Sequence, residues 1–199
     1  KNTGSKTMLL LLGFAFVSVI NFAFIDKIDL SERASAKADS LKNVLLTSKE
    51  DTNKVNVLNA LSFSLYSTNP DSTILLAQQA AALAGKINFQ KGKANAYSNA
   101  GVGYYVKGNY PNALENYFAA LKMDEALKNK NGIANTLGNI GLVYNDQADY
   151  PKAMDYYLRA LKMNEELGNK NGIALTLGNI GGVYDDQAAA SSETKTKEE

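Results

Sequence analysis

Leu121–Gln147 reads LKMDEALKNKNGIANTLGNIGLVYNDQ, and Leu161–Gln187 reads LKMNEELGNKNGIALTLGNIGGVYDDQ. The second segment repeats the first at an offset of 40 residues without a gap. Repetition at this period means stacked supersecondary units, none of which buries its apolar face alone. The same offset carried backward aligns Ala94 with Ala134, Gly101 with Gly141, Tyr104 with Tyr144, Tyr110 with Tyr150, Ala113 with Ala153, Tyr117 with Tyr157 and Ala120 with Ala160. One more step reaches a diverged copy in which Leu61 replaces the glycine and Pro70 the tyrosine, while Ala77 and Ala80 remain. The array therefore reads as 54–187, with units at 54–93, 94–133 and 134–173 and a partial unit at 174–187.

Each unit holds two helices. Leu137, Ile140, Gly141 and Tyr144 share one face at intervals of three and four, as do Ala153, Tyr157, Ala160 and Leu161. Gly108-Asn109-Tyr110-Pro111 and Ala148-Asp149-Tyr150-Pro151 separate the helices, with an Asx cap and a proline in the first turn, where a missing N–H costs nothing. Asn131-Gly132 and Asn171-Gly172 are expected to mark the turns between units. Gly101, Gly141 and Gly181 let the first helix approach its partner closely, with Ala113 and Ala153 meeting it from the second.

Leu137-x2-Ile140-Gly141-x2-Tyr144, followed by Tyr150, Ala153, Tyr157 and Ala160, resembles the tetratricopeptide repeat pattern. The period of 40 exceeds the ordinary 34 or so, and the extra residues lengthen the helices by up to roughly 9 Å. This resembles the long-period branch found in motor-protein light chains, polarity scaffolds and many bacterial exported or receptor-linked proteins. The resemblance implies an all-α, right-handed superhelical solenoid of antiparallel helix pairs whose first helices line a concave groove. It also implies a non-catalytic scaffold that binds another protein or an extended peptide, without a small-molecule cofactor.

Two residues before the packing glycine stand Asn99, Asn139 and Asn179, with Asn59 in the same column of the first unit. Asn costs about 0.6 kcal/mol against Ala inside a helix, so four idle copies would cost roughly 2 kcal/mol. A carboxamide both donates and accepts, which suits the backbone of an extended peptide. The resemblance implies that such a ladder holds peptide main chain; the alternative is a row of solvated groove residues. Asn95, Tyr105, Asn135, Leu142, Asn145, Asp146, Asp185 and Asp186 are placed around the groove as candidates for side-chain preference, the acids suggesting basic ligands or else a solvated helix end. Relatives that clamp a terminal carboxylate use Lys and Arg, where this chain has Ser98, Gly138 and Gly178.

Composition narrows the chemistry. Lys and Arg number 21 against 20 Asp and Glu, a net charge of +1, which argues against a nucleic acid partner. His and Cys are both absent, removing the commonest general base, the commonest metal ligands and any thiolate nucleophile. We expect no catalytic residues, no metal site and no enzyme. Gly138-Asn139-Ile140-Gly141 matches a GxxG loop only in letters, since no strand precedes it.

The N-terminus is different. Lys1 and Lys6 precede an uncharged run from Met8 to Ile25, followed by Asp26 and Lys27. Residues 1–36 read as a signal peptide, with Ala34-Ser35-Ala36 as a small-residue site, as a membrane anchor through residues 8–25, or as a buried helix. The first two imply an exported chain, periplasmic or membrane-anchored and facing the periplasm. Residues 37–53 form a helical lead-in, with Leu41, Val44 and Leu45 at helical spacing. Residues 188–199 read as a disordered polar tail. An export signal followed by repeats that stop short also fits the truncated extracytoplasmic sensor region of a bacterial receptor, such as a histidine kinase or a membrane-tethered regulator.

Overall fold

Turn chemistry recurs every 20 residues. Asn88, Gly108, Lys128, Ala148 and Gly168 all adopt positive φ, between 53° and 69°. After each of them one N–H returns to the carbonyl five residues earlier, Phe89 to Ala84, Asn109 to Tyr104, Asn129 to Asp124, Asp149 to Tyr144 and Asn169 to Asn164, at 2.8–2.9 Å. This is the Schellman closure, which pairs carbonyls that a helix end leaves open.

The computed structural model describes residues 49–198, with side chains through residue 191. Its helices are α1 (Thr52–Ser64), α2 (Pro70–Lys86), α3 (Gln90–Val106), α4 (Tyr110–Ala126), α5 (Lys130–Asp146), α6 (Tyr150–Glu166) and α7 (Lys170–Glu198). Side chains cap the N-termini of α1 and α2: Asp51 Oδ1 accepts from the Asn53 and Lys54 amides at 2.9 and 3.1 Å, and Asn69 Oδ1 accepts from the Ser72 amide at 3.0 Å. Asn109 and Asp149 cap α4 and α6 likewise, and Pro70, Pro111 and Pro151 occupy the first turns of α2, α4 and α6.

Helices pack in sequence order as antiparallel pairs, and α1, α3, α5 and α7 also touch one another in succession. Each interface is built around a small residue. A Cβ on Gly101 would sit 2.5 Å from the Tyr117 ring, and one on Gly141 would sit 2.6 Å from the Tyr157 ring. Tyr117 then joins Leu137, Ile140 and Val143 of the next unit, and Tyr157 joins Val183 of α7, so each tyrosine ties its own pair to the following helix. The diverged first unit places Leu61 and Ala77 in these columns, both buried, which reverses large and small.

Four expectations change. The fold class is corrected to the helical array that the described residues form, since no signal or anchor helix is found among them, and the exported, periplasmic or membrane-anchored placement is withdrawn with it. No helix among the described residues is long and apolar enough to cross a membrane, and residues 8–25 lie outside the described residues, as does most of the lead-in. Asn131-Gly132 and Asn171-Gly172 are not turns: they lie in the first turns of α5 and α7, and the units open at Gln90, Lys130 and Lys170. Gly132 is there for packing, because a Cβ would fall 2.2 Å from the Asp124 carboxylate. Finally, α7 runs on to Glu198 where a disordered tail was expected. Ala188 occupies the column of Ala148, but Ala189-Ala190-Ser191 supplies neither the cap of Asp149 nor the proline of Pro151, and alanines favour continuation.

Candidate functional site

The first helices of all four units face one cleft of about 580 Å³. Its wall takes Asn56, Asn59, Ala60 and Phe63 from α1, and Asn95, Ser98, Asn99 and Val102 from α3. From α5 come Ala134, Asn135, Gly138, Asn139 and Leu142, and from α7 Gly172, Leu175, Thr176 and Asn179. The 40-residue period puts equivalent residues side by side, so the expected column Asn59, Asn99, Asn139 and Asn179 does line one surface.

Within that column the side chains divide into two pairs. Asn59 is only 7% exposed, and its Nδ2 donates to the Gly92 carbonyl of α3 at 2.9 Å. Asn99 Nδ2 donates to the Asn59 carbonyl of α1 at 2.9 Å. These two bonds stitch the first helices of neighbouring units and satisfy donors that would otherwise be stranded. Asn59 Oδ1 is buried with no donor against it. Asn139 and Asn179 are half-buried, and their carboxamides make no hydrogen bond to another described residue. The outer pair therefore has donor and acceptor turned to the cleft.

The remaining candidates separate as well. Asn95 and Asn135 are exposed on the cleft wall beside half-buried Leu142. Tyr105, Asn145, Asp146, Asp185 and Asp186 do not line it. Asp146 lies against two tyrosines: the Tyr110 hydroxyl donates to it at 3.4 Å, and burial with the Asp146 carboxylate pushes the Tyr105 phenol up to about 12. Asn145 Nδ2 donates to Asp186 at 2.7 Å. Asp185 is exposed. The basic-ligand preference drawn from these acids loses its footing, since none of the three carboxylates lies on the cleft wall.

Several wall residues were not singled out in the sequence. Phe63 and Leu175, exposed at 54% and 69%, are the open apolar side chains of the cleft, one on the first helix and one on the last. Asn164 enters from α6, a second helix, where the resemblance gave no reason to look. Its Nδ2 donates to the Thr176 hydroxyl at 3.4 Å, and its Oδ1 accepts from Asn169 at 3.0 Å. One unit earlier, Asp124 holds the same place and accepts from Asn129 at 2.7 Å. Burial raises the Asp124 carboxyl above its ordinary value. Among the described residues no group of three or more His, Cys, Asp and Glu is arranged to hold a metal ion.

Comparison with known proteins gives the same picture. A family model described as tetratricopeptide repeat matches residues 92–166 and 133–192, together just over half of the chain. No curated protein sequence matches. Among solved structures, the apo form of RapI aligns with a TM-score of 0.64 at 18% identity, over 82% of this chain and 45% of its own. Aspartyl phosphate phosphatase F from Bacillus subtilis aligns with a TM-score of 0.63 at 20% identity, over 84% of this chain and 50% of its own. A Rap protein complexed with competence and sporulation factor aligns with a TM-score of 0.64 at 16% identity, over 83% and 51%. The chain thus spans about half the length of these relatives, and at such identities the likeness is one of fold.

Proposed function

Because the chain belongs to the tetratricopeptide repeat family, a family of protein- and peptide-binding scaffolds, we propose that its cleft holds an extended segment of another polypeptide, with Asn139 and Asn179 bonding to the segment's main chain. The observation that carries this reading is the open pair of carboxamides on a wall shared by all four first helices. A carboxamide can pair with a peptide N–H and C=O together, and repetition at one column matches the repeat of an extended backbone. The solved Rap complex with competence and sporulation factor supports the reading by analogy of fold. The offset of 40 residues supports a place in the long-period branch of the family. The reading includes no catalytic step, in keeping with a chain that lacks His and Cys. No observation favours a sensor region over a scaffold.

The test is peptide binding to the full chain and to an Asn139→Ala, Asn179→Ala double variant, with Asn59→Ala as the comparison. We expect the double variant to lose at least about tenfold in affinity while keeping its thermal midpoint, since neither side chain bonds within the array, a loss of about 1.4 kcal/mol or more. Binding that survives the double substitution unchanged would remove the ladder from the mechanism.

A further inference from the structure

Among the described residues, every polar side chain on the cleft wall is neutral. Asparagines, Ser98 and Thr176 supply the polar groups, and none of the described Lys, Arg, Asp or Glu residues contributes. The chain is not short of charge: Lys86 pairs with Glu50, Lys130 with Glu166, Lys152 with Asp149 and Arg159 with Asp155, and none of these residues lines the cleft. Charge is thus held on other surfaces, while the cleft is left with carboxamides, hydroxyls and, on its outermost helices, the exposed apolar side chains Phe63 and Leu175.

From this arrangement we infer that the cleft selects an uncharged extended segment with an apolar side chain toward each end; the inference rests on the peptide reading above and names its ligand class. A charged side chain entering this wall gives up hydration and finds no counter-charge, whereas amide and hydroxyl groups exchange water for equivalent partners. Phe63 on α1 and Leu175 on α7 give apolar anchors at opposite ends. Three steps of about 10 Å between four first helices make about 30 Å, which about nine extended residues span.

The test is selection by the full chain from a library of end-capped nonapeptides randomised at every position. Selected peptides are expected to be depleted at least fivefold in Lys, Arg, Asp and Glu at their central positions, to be enriched in Leu, Ile and Phe near their ends, and to change affinity less than twofold between low and high NaCl. Enrichment of either sign of charge at the centre, with salt-sensitive binding, would overturn the ligand class while leaving the groove reading in place. Selection of no peptide would overturn both. A Ser98→Lys variant, with a charge set into the wall, is expected to draw Asp and Glu into the selected peptides. An unchanged selection by that variant would place binding outside the cleft and end the inference.

Discussion

Gly141 and Gly181 occupy one column of the repeat and face opposite circumstances. A methyl on Gly141 would press into the Tyr157 ring, which is itself buried, whereas Gly181 has open space beside it. Gly141→Ala gains about 1 kcal/mol of helix propensity but overpacks an interface that cannot give, for a net loss of about 1–2 kcal/mol. Gly181→Ala gains the propensity alone, so its thermal midpoint should hold or rise. Chemical denaturation of the two variants side by side checks this, and equal effects would contradict the packing role. Asp124 poses a second question at this scale. Its carboxyl is raised by burial, so the folded state holds its proton at a pH where the unfolded chain has released it, and stability declines as pH climbs from about 3.9 through the raised value. Asp124→Asn reproduces the chemistry of Asn164 and escapes that decline. The variant is expected to exceed the parent in stability at pH 7, by something on the order of 1 kcal/mol, and to lose most of the advantage below about pH 4. Denaturation midpoints measured at both pH values decide it.

The helix ends carry their own test. Lys128 and Ala148 hold the left-handed conformation that Gly108 and Gly168 hold without a Cβ. For an L-residue that conformation costs roughly 1 kcal/mol. Lys128→Gly and Ala148→Gly are each expected to stabilise the chain by about that amount, and Gly168→Ala to destabilise it similarly, as read from urea midpoints at constant slope. Elements are also the level at which the sequence was most legible. The Leu137, Ile140, Gly141, Tyr144 spacing and the Asx-Tyr-Pro breaks place helices and their inner turns, because periodicity and capping are local. Asn131-Gly132 misleads for a physical reason. The dipeptide has turn chemistry, but its glycine is required by Asp124 on a different helix, and a tertiary contact leaves no mark on local sequence. The Asn column was legible as a surface feature. Which of its carboxamides are consumed by neighbouring backbone was not, since Asn59 and Asn99 differ from Asn139 and Asn179 only in what lies across from them.

Across the whole molecule, contacts run between neighbouring helices and between successive first helices, so stability is expected to behave as a chain of nearly local terms. The two asparagine stitches join α1 to α3 and nothing further along. Removing both with Asn59→Ala and Asn99→Ala deletes two partly or fully buried hydrogen bonds, at about 1 kcal/mol each, while the Gly92 and Asn59 carbonyls that they served keep their helical N–H partners. In an ordinary globular core such a loss would be shared by every element. In an array it should fall on one end. Native-state hydrogen exchange of the double variant is therefore expected to show lower protection across α1 and α2, with α5 and α6 unchanged. That pattern would also explain how the cleft can keep Asn139 and Asn179 for a ligand: the stitching asparagines hold the wall in register at one end, and the open pair works from units whose stability is independent of them. A uniform loss of protection through α6 would instead mean that the array folds as a single cooperative body, and that the stitching asparagines at one end hold the units that carry Asn139 and Asn179 as well as their own.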